Sequence, residues 1–140
     1  MSGPGDRVAD VADRWLLSRQ ITVDTLVAVR HAVREHCAAA GLDGERLYRF
    51  VTAVNEIATN AVRHGGGRGR LRLRADGGRV ACEVSDDGPG LPTGGPAQWA
   101  RPATGTIGGW GLWLARQNCD EVSVDTGPGG TTITLCMSAR

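Results

Sequence analysis

A chain of 140 residues can bury one hydrophobic core and is too short for two, so a single domain without an additional catalytic domain is expected. Sixteen basic residues against fifteen acidic ones give a formal net charge of +1, a balance that favours neither a nucleic-acid backbone nor an anionic membrane as partner. The four cysteines, Cys37, Cys82, Cys119 and Cys136, stand singly without a C-x-x-C pair, and no apolar run approaches the ~20 residues of a membrane span, so zinc, a dithiol centre and a membrane anchor are not indicated.

Residues 1–12 contain Gly3, Pro4 and Gly5 and read as a loose tail, with one domain over 13–140 in a cytoplasmic setting that keeps its thiols reduced. Trp15-Leu16-Leu17 marks a short first strand. From Val23 to about Ala40, Leu26, Val27, Val29, Ala32, Val33 and Cys37 recur at helical steps, and Gly41 stops the pattern. A second helix runs from Gly44 or Glu45 to His64, ended by Gly65-Gly66-Gly67; Leu47, Phe50, Val51, Val54, Ile57, Ala58, Ala61 and Val62 share one arc, and Glu56 and Asn60 sit together outside it. Arg70 to Ala75 and Arg79 to Ser85 form a hairpin around Asp76-Gly77-Gly78, with Arg68, Arg70, Arg72 and Arg74 on a solvated strand face. Leu91 to Ile107 has no periodicity and reads as a long loop, a lid in functional terms, which also carries Trp99. A short helix follows over Gly111 to Gln117, and strands over Glu121 to Asp125 and Thr131 to Met137 close the chain. Helices segregated from strands predict a two-layer α+β sandwich, with a mostly antiparallel, mixed sheet covered on one face by helices.

Four segments carry residue types suited to a nucleotide pocket. Glu56 and Asn60, one helical turn apart, present a carboxylate and a carboxamide to the same volume, and the amide oxygen is a hard ligand suited to Mg²⁺. Val80 to Ser85 delivers Asp86 at a strand end, where a carboxylate can accept a hydrogen bond from an exocyclic amine, while Gly88 and Gly90 permit a sharp turn and close ligand approach. Gly108-Gly109-Trp110-Gly111 precedes a helix and offers backbone N–H groups to phosphate, without the Gly-Lys-Ser/Thr of a Walker A loop. Gly129-Gly130-Thr131-Thr132 makes a tight turn into the last strand, and either Thr131 or Thr132 could face a base. Each segment alone is also an ordinary structural feature: a wet helix face, an Asp-Gly-Pro-Gly turn, a helix start, a strand entry. Only their ordered combination is informative.

That combination resembles the GHKL ATPase superfamily with its Bergerat nucleotide-binding fold, and within it the small stand-alone anti-sigma-factor serine/threonine kinases. The likeness covers roughly residues 24–137. Its elements are Glu56-x-x-x-Asn60-Ala61-x-x-His64 for the N box, then Asp86-x-Gly88-x-Gly90, Gly109-x-Gly111-Leu112 and Gly129-Gly130-Thr131-Thr132 for three glycine boxes. The resemblance implies ATP as ligand, with Asn60 holding Mg²⁺, Glu56 as base for the attacking hydroxyl and Asp86 reading the adenine amine. It further implies that Gly88 and Gly90 shape the base pocket, that Gly109, Gly111 and Leu112 belong to the lid over the phosphates, and that Thr131 or Thr132 lies near adenine. Trp110 departs from the small, basic or polar residues common in that slot. The implied partners are a STAS-domain anti-anti-sigma protein, phosphorylated on serine or threonine, and a sigma factor; relatives of this branch often form homodimers. The alternative is an ATP-gated protein-binding module with little or no kinase activity. A sensor histidine kinase is disfavoured because His31 and His36 lie on a helix already used for the core, leaving no dimeric hairpin to carry a phosphoacceptor.

Overall fold

The computed structural model describes residues 15–64, 66–88 and 110–139. The tail over 1–12, Gly65, Gly90, Gly109 and the lid over 91–107 with Trp99 lie outside the described residues. The elements run β1 (Trp15–Thr22), α1 (Leu26–Ala39), α2 (Gly44–His64), β2 (Arg68–Asp76), β3 (Arg79–Asp86), α3 (Trp110–Asn118), β4 (Glu121–Gly127) and β5 (Gly130–Ser138). The five strands form one sheet in the order β1-β2-β3-β5-β4, and all four neighbouring pairs are antiparallel. The expected α+β sandwich is what the chain forms, with α1, α2 and α3 on one face.

β1 is longer than its sequence suggests. Only Leu17 and Ile21 are buried, whereas Ser18, Arg19 and Gln20 are exposed on both faces of an edge strand, so the usual alternation is lost. A bulge lies between Trp15 and Leu17. α1 starts three residues later than its hydrophobic pattern, because the Thr22 N–H donates to the Thr25 hydroxyl at 2.8 Å and the Thr25 N–H to the Thr22 carbonyl at 3.1 Å, which makes a turn of Thr22–Thr25. At its other end Gly41 takes φ +110° and Leu42 donates back to the Cys37 carbonyl at 3.1 Å, closing the helix where glycine permits it.

α2 is the spine of the molecule. It contains Val51, Thr52, Val54, Ile57, Thr59 and Val62, β-branched residues that each cost a few tenths of a kcal/mol in a helix. Burial of Phe50, Val54 and Ile57 at 2% exposure or less contributes about 1.5–3 kcal/mol per side chain, which outweighs those costs and makes the segment helical. These side chains meet Leu71, Leu73, Val80, Cys82, Val84, Ile133, Leu135 and Met137 from the inner sheet face. The opposite face carries Arg72 paired with its cross-strand neighbour Glu83 at 2.5 Å and stacked over Trp15 at 4.4 Å. Gly77 and Gly78, both with positive φ, form the two-residue turn expected between β2 and β3.

β3 pairs with β5 instead of the strand that follows it in sequence, so β5 lies in the interior of the sheet and β4 at its edge. That insertion brings the end of β3 and the beginning of β5 together.

Candidate nucleotide site

Asp86 is the last residue of β3 and continues the helix-facing series Val80, Cys82 and Val84, whose side chains are buried. Register places it between Gly69 of β2 and Thr131 of β5; Thr131 in turn pairs with Thr126 of β4, and Gly69 with Ile21 of β1. Ile21, Gly69, Asp86, Thr131 and Thr126 therefore form one row across all five strands, on the face that the helices cover. The carboxylate is fixed locally, since the Gly88 N–H donates to Asp86 Oδ1 at 2.9 Å and Gly88 itself is buried. Among the described residues this is the hydrogen bond that holds the carboxylate.

Two glycines allow that row to close. A Cβ on Gly130 would stand 2.1 Å from the Asp86 carbonyl oxygen, and one on Gly69 would stand 2.6 Å from that of Ser85. Gly130 also has φ +138°, a conformation that L side chains rarely adopt. By sequence Gly130 reads only as a turn residue, and Gly69 has no assigned role. A glycine inside an otherwise regular strand is itself a sign of close backbone approach, and Gly69 carries that signal.

Between Thr131 and Thr132, strand parity decides which one faces the covered side. Thr131 shares Asp86's face and is 6% exposed, the one buried polar residue among the described residues. Its hydroxyl lies 2.8 Å from that of Thr126. Thr132 pairs with Ser85 and Asp125 and so belongs to the opposite face, away from the helices.

Glu56 and Asn60 are half-buried on α2, beside the stripe that enters the core. Two arginines earlier on α2 orient the neighbouring helix. Arg46 meets Asp120 at 2.7 Å, and Arg49 donates from Nη2 to the Gln117 carbonyl at 2.7 Å and from Nε to Asn118 Oδ1 at 3.3 Å. The partners fall in number as the arginines rise, so α2 and α3 run antiparallel. Two turns beyond Arg49 on α2 is Glu56, and roughly two turns back from Asn118 on α3 is Gly111. The N-terminal turn of α3, with Leu112 buried beneath it, thus comes level with Glu56 and Asn60. The C-terminal end of α2 leads through Gly66 and Gly67, at φ +94° and +88°, into β2, whose second residue is Gly69 beside Asp86. Glu56, Asn60, Asp86, Gly88, Thr131 and the start of α3 with Gly111 accordingly gather at one end of the sandwich. Gly90 and Gly109, the remaining glycines of their boxes, lie outside the described residues.

A carboxylate at a strand end, a half-buried acid and amide, and an N-terminal helix turn suit a nucleotide: the first matches an exocyclic amine, the last matches phosphate. Among the described residues no group of three His, Cys, Asp or Glu side chains could hold a metal ion. Mg²⁺ does not require such a cage, since it binds through few protein ligands with water and phosphate oxygens completing its shell.

Residues 20–137 match the family described as the histidine kinase-like ATPase domain. The chain belongs to that family. Among solved structures, this ATPase-family domain is similar to the RsbU and RsbW domains of Rv1364c from Mycobacterium tuberculosis, at 26% identity and TM-score 0.63 over 87% of this chain and 32% of that one. It is similar to the SiaB-SiaC complex from Pseudomonas aeruginosa at 13% identity and TM-score 0.62, over 98% of each chain. It also resembles the histidine kinase domain of the EL346 blue-light activated histidine kinase from Erythrobacter litoralis, at 23% identity and TM-score 0.51 over 80% of this chain and 62% of that one. The last two likenesses, below 25% identity, concern the fold. This chain spans about a third of the length of the Rv1364c structure and under two thirds of the EL346 domain. Among curated proteins there is no match.

Proposed function

We propose that this chain is an ATP-dependent serine/threonine protein kinase of the anti-sigma-factor type, acting in the cytoplasm, which phosphorylates a STAS-domain antagonist and sequesters a sigma factor. Membership of the histidine kinase-like ATPase family supports nucleotide binding, and the likeness to a structure containing an RsbW domain supports the anti-sigma branch. The observation that carries the reading is that Asp86 ends β3 paired with Thr131 and with Gly69, at the start of the strand into which α2, the helix of Glu56 and Asn60, leads.

Mg·ATP, when bound, supplies the phosphoryl group and neutralises its charge. In this reading Asp86 accepts a hydrogen bond from the adenine amine, with Gly88 and Gly90 shaping the base pocket and Thr131 beside the base. Asn60 would hold the metal through its amide oxygen. Gly109, Gly111 and Leu112 are assigned to the phosphates, where backbone N–H groups at a helix start would donate to them. Glu56 would take the proton from the partner's hydroxyl as that oxygen bonds to the γ-phosphorus and the bond to the departing ADP breaks, a role for which a positioned carboxylate contributes about 10²–10⁴-fold. Phosphoryl transfer rests mainly on positioning and charge neutralisation, so a single small domain suffices.

The test is incubation with γ-labelled ATP, Mg²⁺ and a co-encoded STAS-domain protein. Label on serine or threonine is expected with the wild-type chain, and Glu56→Ala is expected to reduce transfer by about 100-fold or more while ATP affinity stays within about twofold. Undiminished transfer by Glu56→Ala would refute its role as base. Bound but intact ATP in the wild-type reaction would replace the kinase by an ATP-gated binding module.

A further inference from the structure

We propose that the sheet face turned away from the helices is a docking surface for a second copy of this chain, with Arg70 and Arg74 of each copy set against Asp125 and Glu121 of the other. The proposal stands apart from the nucleotide reading, because it uses the face opposite the candidate site.

Strand parity fixes what this face carries. Leu71 and Leu73 of β2 and Ile133 and Leu135 of β5 are buried against the helices, so the residues that alternate with them lie on the other side. Register aligns that side in three rows across β2, β3, β5 and β4: Arg70-Ser85-Thr132-Asp125, Arg72-Glu83-Thr134-Ser123 and Arg74-Ala81-Cys136-Glu121. A solvated face is ordinary in an antiparallel sheet, but it usually carries charges of both signs interspersed. Here the signs are separated. β2 contributes a column of arginines and β4 the acids, while the two strands between them hold small side chains apart from Glu83, which Arg72 already engages. Arg70 and Asp125 are exposed and form no ion pair among the described residues. Arg74 lies over Trp15 and Glu121 meets Arg79, yet both remain exposed.

Such a face complements itself in one arrangement. A two-fold axis parallel to the strands and midway between β3 and β5 lays β2 of each copy over β4 of the other and keeps every row in line. Arg70 then faces Asp125, Arg74 faces Glu121 and Arg72 faces Ser123, each contact occurring twice by symmetry. An axis perpendicular to the strands would instead set arginine over arginine. In the centre Ser85 lies over Thr132 and Ala81 over Cys136, side chains small enough for the sheets to approach to about 10 Å. Packed sheets cross at about −30°, which displaces the corner groups by roughly 5 Å, a distance that an arginine side chain spans. Four strands of seven to nine residues give a face of roughly 500 Å² in projection, which suits a dissociating dimer more than a permanent one.

The experiment is sedimentation velocity of the full chain between about 1 and about 100 μM, with native mass spectrometry of mixtures. Wild type is expected to pass from monomer to dimer over that range and to dissociate more readily as salt is raised. Arg70→Asp and Asp125→Arg each oppose like charges at two contacts of the dimer, and each is expected to weaken it at least about tenfold. In an equal mixture of the two variants every reversed charge meets an opposite one, so the heterodimer is expected within about threefold of wild-type affinity while neither variant pairs with itself. Both positions are exposed, so unchanged urea midpoints establish that a lost dimer is not a lost fold. A wild type that stays monomeric at about 100 μM, as when another protein or this chain's own first residues occupy the face, overturns the proposal. So does a dimer that neither reversal weakens, or a loss that the mixture does not rescue.

Discussion

Asp86 is set by its neighbours more than by its own surroundings in sequence. The Gly88 amide holds one carboxylate oxygen, Thr131 flanks it on β5, and Gly130 approaches so closely that no side chain fits against the Asp86 carbonyl. Gly130→Ala combines a 2.1 Å overlap with backbone and a φ of +138°, so it is expected to lower the unfolding free energy by about 2–4 kcal/mol. Gly129→Ala next to it meets nothing within 4 Å and is expected to change stability by less than about 0.5 kcal/mol. Urea denaturation of the two variants reads the difference, and equal midpoints would show that the β5 entry yields without cost. The contrast matters for the site because relief of the overlap requires the Asp86 backbone or the β5 entry beside it to move.

At the scale of elements, α3 is a short helix whose position depends on α2. Arg49 reaches the Gln117 carbonyl and Asn118, and Arg46 bridges Asp120 and the Ser138 carbonyl, so the C-terminal end of α3 is tied while its N-terminal turn faces the candidate site. Arg49 is half-buried, so Arg49→Met preserves the apolar part and removes the hydrogen bonds. A loss of about 1 kcal/mol is expected, with faster amide exchange over Trp113–Gln117 and unchanged exchange in β3. Equal acceleration in both would mean that Arg49 supports the whole fold and not the placement of α3. The Asp120 carboxyl is held below its ordinary range, first by the Ser138 N–H and then by Arg46, but it is too exposed to add more than a minor contribution.

At the scale of the molecule, the thiols report on the core. Burial pushes Cys37 and Cys119 up to about 12, and raises Cys82, which lies between helices and sheet, well above its ordinary value. The folded state therefore keeps these thiols protonated where the unfolded chain ionises them, above about 9. Their contribution to stability is complete below that pH and is lost as pH rises from about 9 towards 12, at up to about 1.4 kcal/mol per pH unit for each thiol. The urea midpoint is expected to fall between about pH 8 and about pH 10, with a shallower fall in Cys37→Ala. A slope unaltered by Cys37→Ala would indicate that this thiol ionises freely in the native protein. No helix among the described residues is long and apolar enough to cross a membrane.

The local sequence determined the helices and the hairpin turns: the spacing of Phe50, Val54 and Ile57, the stop at Gly41 and the Gly77-Gly78 turn are encoded within a few residues, where periodicity and φ preference act. It also marked Glu56, Asn60 and Asp86 as chemically suited residues. It does not reveal the extent of β1, because an edge strand exposed on both faces lacks alternation, and it places the start of α1 too early, because Thr25 turns its hydroxyl back to Thr22. Tertiary structure alone decided that β5 lies against β3, that Thr131 and not Thr132 shares a face with Asp86, and that Thr126 meets Thr131. Those facts depend on strand order and register, which are set by the burial of a whole sheet face against α2 and cannot be read from any segment by itself.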